Sequence, residues 1–277
     1  MTSILVTTDL GRRSDIAMLR AARLAAQMAL PLHILHVADD DLPAALLQRR
    51  SEEAEGALAE MVRYNPALAD LSPRIDVEVG EVVKRVTDMA DRHDPALLVL
   101  GSHRGRGLGE LLGTPTLQRI VKSVEAPILV AVGPAEADYA TAAVGWDHSA
   151  ASRIAFDLTR QVAPDATIRL IHAWHDPYAV GPYGLDGGAT SNAIAREREA
   201  EIQKTAETLA AEGVTVRGEA VMSGPANALL RAADDGSVDL LSVGRHARSG
   251  IARFLLGSTA ARVVLYAPCD VLIAPAE

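Results

Sequence analysis

The sequence predicts an α/β protein built from two tandem domains, each a five-stranded parallel sheet with helices on both faces. Three observations carry this. Short β-branched runs alternate with longer Ala- and Leu-rich runs of helical period along the chain. The strand runs are near-continuously apolar, as strands covered on both faces are. The order of elements, with the short motifs that punctuate them, occurs twice.

The duplication rests on five echoes in one order. Asp9 followed by Ser14-Asp15-Ile16-Ala17 is matched by Asp147 followed by Ser152-Arg153-Ile154-Ala155. Ile34-Leu35-His36 is matched by Leu170-Ile171-His172, and Leu98-Val99-Leu100-Gly101-Ser102-His103 by Leu241-Ser242-Val243-Gly244-Arg245-His246. Gly101 and Gly244 each open a long glycine-containing loop. Finally, Glu125-Ala126-Pro127-Ile128-Leu129-Val130 is matched by Tyr266-Ala267-Pro268-Cys269-Asp270-Val271-Leu272. The domains span residues 1–134 and 138–277, joined near Gly133-Pro134-Ala135-Glu136.

In the first copy, strands are read at 4–8, 32–37, 74–79, 96–100 and 128–132, with helices at 14–28, 43–64, 81–92 and 116–124. In the second copy, strands fall at 142–146, 167–173, 214–220, 239–243 and 271–274. Right-handed crossovers leave few topologies, and the ligand crevice of such a sheet lies beyond the strand C-termini. The apolar last strands of the two copies need covering, and an internal pseudo-dimer that pairs them is expected. A further homodimer is compatible with it.

Bulk properties narrow the function. Apolar residues make up 49 % of the 277, charged residues 23 % and aromatics only 3 %, which suits two cores of helices on sheets. A formal charge of −9 repels a phosphate backbone, so no nucleic-acid partner is expected. It leaves room for one small anion, because N–H groups at a helix start hold phosphate without net positive charge. The single cysteine, Cys269, reads as a buried structural thiol in a reducing compartment. The N-terminus reads as a strand and not a signal peptide, and no apolar run is long enough to span a membrane. The expected location is the cytoplasm.

Three features sit at the expected ligand edge. Asp9 and Asp147 close the first strand of their copies. Each could accept hydrogen bonds from a base or ribose, or cap nearby backbone N–H groups. The second feature is the loop after the fourth strand. In the second copy it ends in Gly257-Ser258-Thr259 at the start of the last helix, where free N–H groups and small hydroxyls suit phosphate oxygens. The third is a Gly/Pro-rich insertion at 175–188, readable as a lid, a partner-binding loop or a connector. His33 and His36, at odd spacing on one strand, face opposite ways, and no metal site is expected there. The mixed charge run Arg196-Glu197-Arg198-Glu199 with Glu201 reads as a solvated helix face.

The second loop resembles the signature of the universal stress protein family: Gly, two residues, Gly, nine residues, Gly, then Ser or Thr. Gly244, Ala247, Gly257 and Ser258 fall on those positions, with Ala247 replacing a glycine. Ala267-Pro268-Cys269 and Ser223-Gly224-Pro225 also resemble that family, and the likeness covers nearly the whole chain twice. The resemblance implies a Rossmann-like fold of the adenine nucleotide alpha hydrolase type, ATP binding in some members, alone or with Mg, and pairing through the last strand. Carried over by position, Asp147 and Ala173 would contact adenosine, Val243 and Gly244 the ribose, and Ala247, Gly257, Ser258 and Thr259 the phosphates. In the first copy the nearest equivalent candidates are Asp9, Val37, Gly101, Gly105, Gly113 and Thr114. There Arg104 stands where the second glycine belongs, Gly113 comes one residue early, and Pro115 removes a donor N–H. The first loop is thus degenerate and the second better preserved.

The expectation is a nucleotide-responsive stress or signalling protein, binding mainly in the second domain, with an unidentified protein partner. A ligand-free protein–protein interaction module is the alternative, favoured by Ala247 and Arg104. An ATP-using enzyme is the weakest reading, although slow ATP hydrolysis is compatible with the fold. Ser-Gly-Gly after the first strand and His-x-Gly-His are absent, and the three lysines, Lys84, Lys122 and Lys204, lie on helices.

Overall fold

The computed structural model describes residues 3–38, 40, 43–102, 116–176, 189–211, 213–245 and 257–275. The first half runs β1 (Ile4–Thr8), α1 (Arg12–Met28), β2 (Leu32–Ala38), α2 (Ala44–Tyr64), α3 (Pro66–Ala69), β3 (Arg74–Val79), α4 (Val82–His93), β4 (Leu97–Gly101), α5 (Thr116–Ser123) and β5 (Ile128–Ala131). The second runs β6 (Thr141–Gly145), α6 (Ala150–Val162), β7 (Thr167–Trp174), α7 (Ala189–Ala210), β8 (Val216–Met222), α8 (Pro225–Asp234), β9 (Leu240–Gly244), α9 (Ser258–Tyr266) and β10 (Asp270–Ala274).

The strands form one ten-stranded sheet in the order β3-β2-β1-β4-β5-β10-β9-β6-β7-β8. Within each half every pairing is parallel, and the halves join through an antiparallel β5–β10 pair centred on Leu129 and Leu272. The expected pairing of the two last strands is present. The two five-stranded sheets are thereby one continuous mixed sheet, because each last strand, buried along its length, closes the other's open edge. The outer strands β3 and β8 carry Arg74, Asp76, Glu78, Arg217 and Glu219, charges that discourage further pairing.

Two cores, one on each sheet face, run through both halves. One gathers α1, α6 and buried side chains of α2 and α7 such as Leu58 and Ile202; the other gathers α4, α5, α8 and α9. Helix α1 shows why. Ala17, Met18, Ala21, Leu24 and Ala25 recur at helical spacing, and all are buried. Its C-terminus closes on Ala29 in the left-handed region at φ 52°. Ser149 caps α6, its hydroxyl oxygen accepting the Ser152 N–H at 3.2 Å. Pro225 opens α8 at its first turn, where a missing N–H does no harm.

Each end of β10 carries a buried charge at the junction. Asp270, fully buried, accepts the Val132 and Gly133 N–H groups at 2.7 and 2.8 Å and the Tyr139 hydroxyl at 2.7 Å. Arg20 approaches the same carboxylate at 2.9 Å, and its guanidinium carbon lies 4.3 Å from the centroid of the Tyr139 ring. Burial first, then the Asp270 carboxylate, raises the Tyr139 hydroxyl well above its ordinary pKa. At the other end Arg245 donates to the carbonyls of Val124, Glu125, Ala126, Val121 and Ala274. Burial lowers its pKa to about 10, so it remains charged at neutral pH. Register makes Ser102 the counterpart of Arg245, and Pro127 that of Asp270.

Several sequence expectations shift. Strand β8 ends two residues later than expected, and α3 adds a one-turn helix begun by Asn65, whose side chain accepts the Ala67 N–H at 3.1 Å. Cys269 is buried, and burial pushes its thiol up to about 12, which suits a structural role. Most of the 175–188 insertion lies outside the described residues. Among the described residues, no helix is long and apolar enough to cross a membrane.

Candidate functional site

Each half has a cavity at the C-terminal edge of its strands, where an open parallel sheet places ligands. The first is about 500 Å³ and the second about 240 Å³.

The turn after the first strand builds one wall of each. Leu10 and His148 adopt left-handed φ values of 59° and 63°, folding the chain back over the preceding acid. Asp9 Oδ1 accepts the Gly11 N–H at 2.9 Å and the Ser14 hydroxyl at 2.8 Å. Asp147 Oδ1 accepts the N–H of Ser149 at 3.1 Å and its hydroxyl. Both acids therefore hold their own turns, the capping role the sequence left open, and both also line the cavities. Below them His36 Nδ1 lies 2.9 Å from the Thr8 carbonyl and His172 Nδ1 2.9 Å from that of Trp146. In each pair the N–H tautomer makes the histidine a strand-to-strand tie.

The fourth-strand glycine also has a packing role. A Cβ on Gly244 would collide with the carbonyl group of Ala151, so this glycine is required for α6 to sit against β9. It lines the cavity, but close helix packing by itself demands glycine there.

The opposite wall is the start of α9. Gly257 occupies the N-cap with no side-chain cap, and a Cβ placed on it would meet nothing within 4 Å among the described residues. Ser258, Thr259 and Ala260 follow along the cavity wall, so the first N–H groups of α9 stand beside its opening. An anionic group fits such a cradle.

Of the expected second-half residues, Asp147, Ala173, Val243, Gly244, Gly257, Ser258 and Thr259 line one cavity, and Ala247 lies outside the described residues. In the first half Asp9, Val37 and Gly101 line the other, while Gly105, Gly113 and Thr114 lie outside the described residues. Sequence reasoning missed the lining supplied by α8 (Pro225, Leu229) and by α2 (Arg50, Glu53, Ala54). Helical period flags such residues only as faces, without saying which cavity a face meets. Trp146 stands beside the site, at the strand end that precedes Asp147. Its ring packs edge-on against Phe156 at 6.3 Å while it lines the second cavity. Among the described residues no group of three His, Cys, Asp or Glu side chains could hold a metal ion.

The chain matches the Universal stress protein family over residues 1–132 and again over 139–275. A universal stress protein of Mycobacterium tuberculosis is 28% identical, the alignment covering 98% of this chain and 96% of that protein. One from Mycolicibacterium smegmatis is 26% identical with the same coverage. The crystal structure of a universal stress protein from Archaeoglobus fulgidus superposes with a TM-score of 0.73 at 17% identity, covering 99% of this chain and 98% of that one.

Proposed function

Because the chain belongs to the universal stress protein family, matched once by each half, we propose that it is a nucleotide-responsive binding protein, holding an adenine nucleotide such as ATP mainly in its second half. One observation carries this reading: the uncapped start of α9, with Gly257, Ser258 and Thr259 lining the same cavity as Asp147 and Ala173. The base and ribose would occupy the strand edge and the phosphates the α9 N–H groups. A divalent ion, if used, would arrive with the nucleotide's phosphates. The protein is read as a binder whose ligand state is passed to a partner, not as an enzyme.

A ligand-free interaction module is the second reading, favoured by the engagement of Asp9 and Asp147 in their own turns. Calorimetric titration of the full chain with ATP separates the two. The expected result is saturable binding that Gly257→Val weakens at least tenfold, since the new side chain enters the cradle and meets none of the described residues within 4 Å. No heat at millimolar ATP, from folded protein, would leave the interaction module as the better reading.

A further inference from the structure

The two cavities differ in a way their loops do not explain. The half with the degenerate phosphate loop has the larger one, about 500 Å³ against about 240 Å³. Sites for small organic ligands span about 300–1,000 Å³, so the first cavity lies inside that range and the second below it.

Strand register shows what differs at the strand ends. Thr8 corresponds to Trp146, and Ala38 to Trp174. Thr8 and Ala38 line the first cavity, which continues past Ala38 to Glu53 and Ala54 on α2. In the second half a buried indole stands at each of these two positions, and among the described residues none from α7 reaches the cavity. The same fold thus has a deep site beside a shortened one.

The chemistry of the walls differs too. At the helix start the first cavity is lined by Thr116, Leu117 and Ile120, preceded in sequence by Pro115, which has no N–H. The second has Gly257, Ser258 and Thr259 at that place. The first cavity adds apolar surface from Val82 and Val86 on α4 and Ile120 on α5, and its charged lining, Asp9, Arg50 and Glu53, has no excess of cations. A polar corner remains, where the Thr8 and Ser14 hydroxyls hydrogen-bond at 2.9 Å next to Asp9.

We infer that the first-half cavity binds an uncharged heteroaromatic ligand bearing a bulky apolar group, of the class of an N6-substituted nucleoside, and that the second half excludes it by size. This rests on reading the strand edges as nucleoside-type sites, and not on ATP occupying the second half. The ring sits over Val37 beside the polar corner, and the apolar group fills the extension over Ala38 toward Ala54. The two halves then sense different molecules: a phosphorylated nucleotide at one end and an uncharged, larger compound at the other.

N6-benzyladenosine, titrated calorimetrically into the full chain, is the probe. One site per chain is expected. Ala38→Trp, which copies the second half's residue into the first, should weaken binding at least tenfold while leaving any ATP binding to the second half unchanged. Trp174→Ala, which opens the second half, should raise the stoichiometry toward two. Absence of binding to folded wild-type protein overturns the proposal, as does binding indifferent to Ala38→Trp. If Ala38→Trp does not fold, Trp174→Ala decides, and a stoichiometry that stays at one overturns it. Failure of ATP to bind alongside benzyladenosine that does bind would sink the nucleotide reading and leave this one standing.

Discussion

The guanidinium of Arg245, in the second half, donates to the carbonyl oxygen of Val124, in the first, at 2.6 Å. Its other donors reach Val121, Glu125, Ala126 and Ala274, so one side chain satisfies the end of α5 and the end of β10 together. Arg245→Met removes all of these donors, and each buried acceptor left unpaired costs about 1–3 kcal/mol, giving an expected loss of at least about 3 kcal/mol in urea unfolding. Arg245→Lys should recover little of it, because a compact ammonium cannot span carbonyls arranged for a planar fork. A methionine variant as stable as the parent would show that water or rearrangement replaces the arginine.

At the opposite end of β10, Asp270→Asn leaves the Arg20 cation buried, with its 2.9 Å partner now neutral. Breaking a buried ion pair from one side costs about 3–5 kcal/mol. Arg20→Met should cost less, since Asp270 keeps the Val132, Gly133 and Tyr139 donors. The double variant should be more stable than Asp270→Asn alone, because the stranded cation is gone. A double-mutant cycle by denaturant unfolding measures this, and strictly additive losses would show that the two groups do not interact.

Gly244→Ala tests what that glycine is for. If close approach of α6 is the reason, the added methyl displaces the helix and destabilises the protein by about 1–3 kcal/mol with no ligand present. Thermal unfolding of the apo protein reads this directly. An unchanged melting temperature with weakened ATP binding would return Gly244 to a ligand role.

Tryptophan fluorescence, excited selectively, reports on the second half alone, which holds both tryptophans. Trp146 lines the cavity, and Trp174 follows the lining residue Ala173. ATP should change the emission saturably, Trp146→Phe should remove the larger share of the change, and Asp147→Ala should weaken it. A flat titration at millimolar ATP counts against the nucleotide reading, and a response untouched by Asp147→Ala and Gly257→Val would put the ligand elsewhere.

Much of this architecture is legible in the sequence because it is local. Alternating apolar runs define the strands to within a residue or two, and the repeated Asp9 and Asp147 mark the strand ends that line the cavities. What escapes is what depends on distant partners. Nothing around Arg245 signals that its acceptors lie in α5 and the turn after it, far back along the chain. Helix α3 escapes because four residues carry no period, and only Asn65-Pro66 hints at a helix start. The part Gly244 plays in seating α6 escapes because Ala151 is not adjacent to it in sequence. The unequal cavities were readable only once register set Ala38 opposite Trp174 and Thr8 opposite Trp146.

Arg245 and Asp270 have no charged counterparts in the first half, where Ser102 and Pro127 stand. In an assembly of two identical chains, every substitution at the axis arrives twice, and a buried arginine at this junction would bring a second, equally buried copy. Fusing the copies into one polypeptide lifts that restriction. Each half can then drift toward its own ligand while the shared seam is held by residues that only one of them supplies.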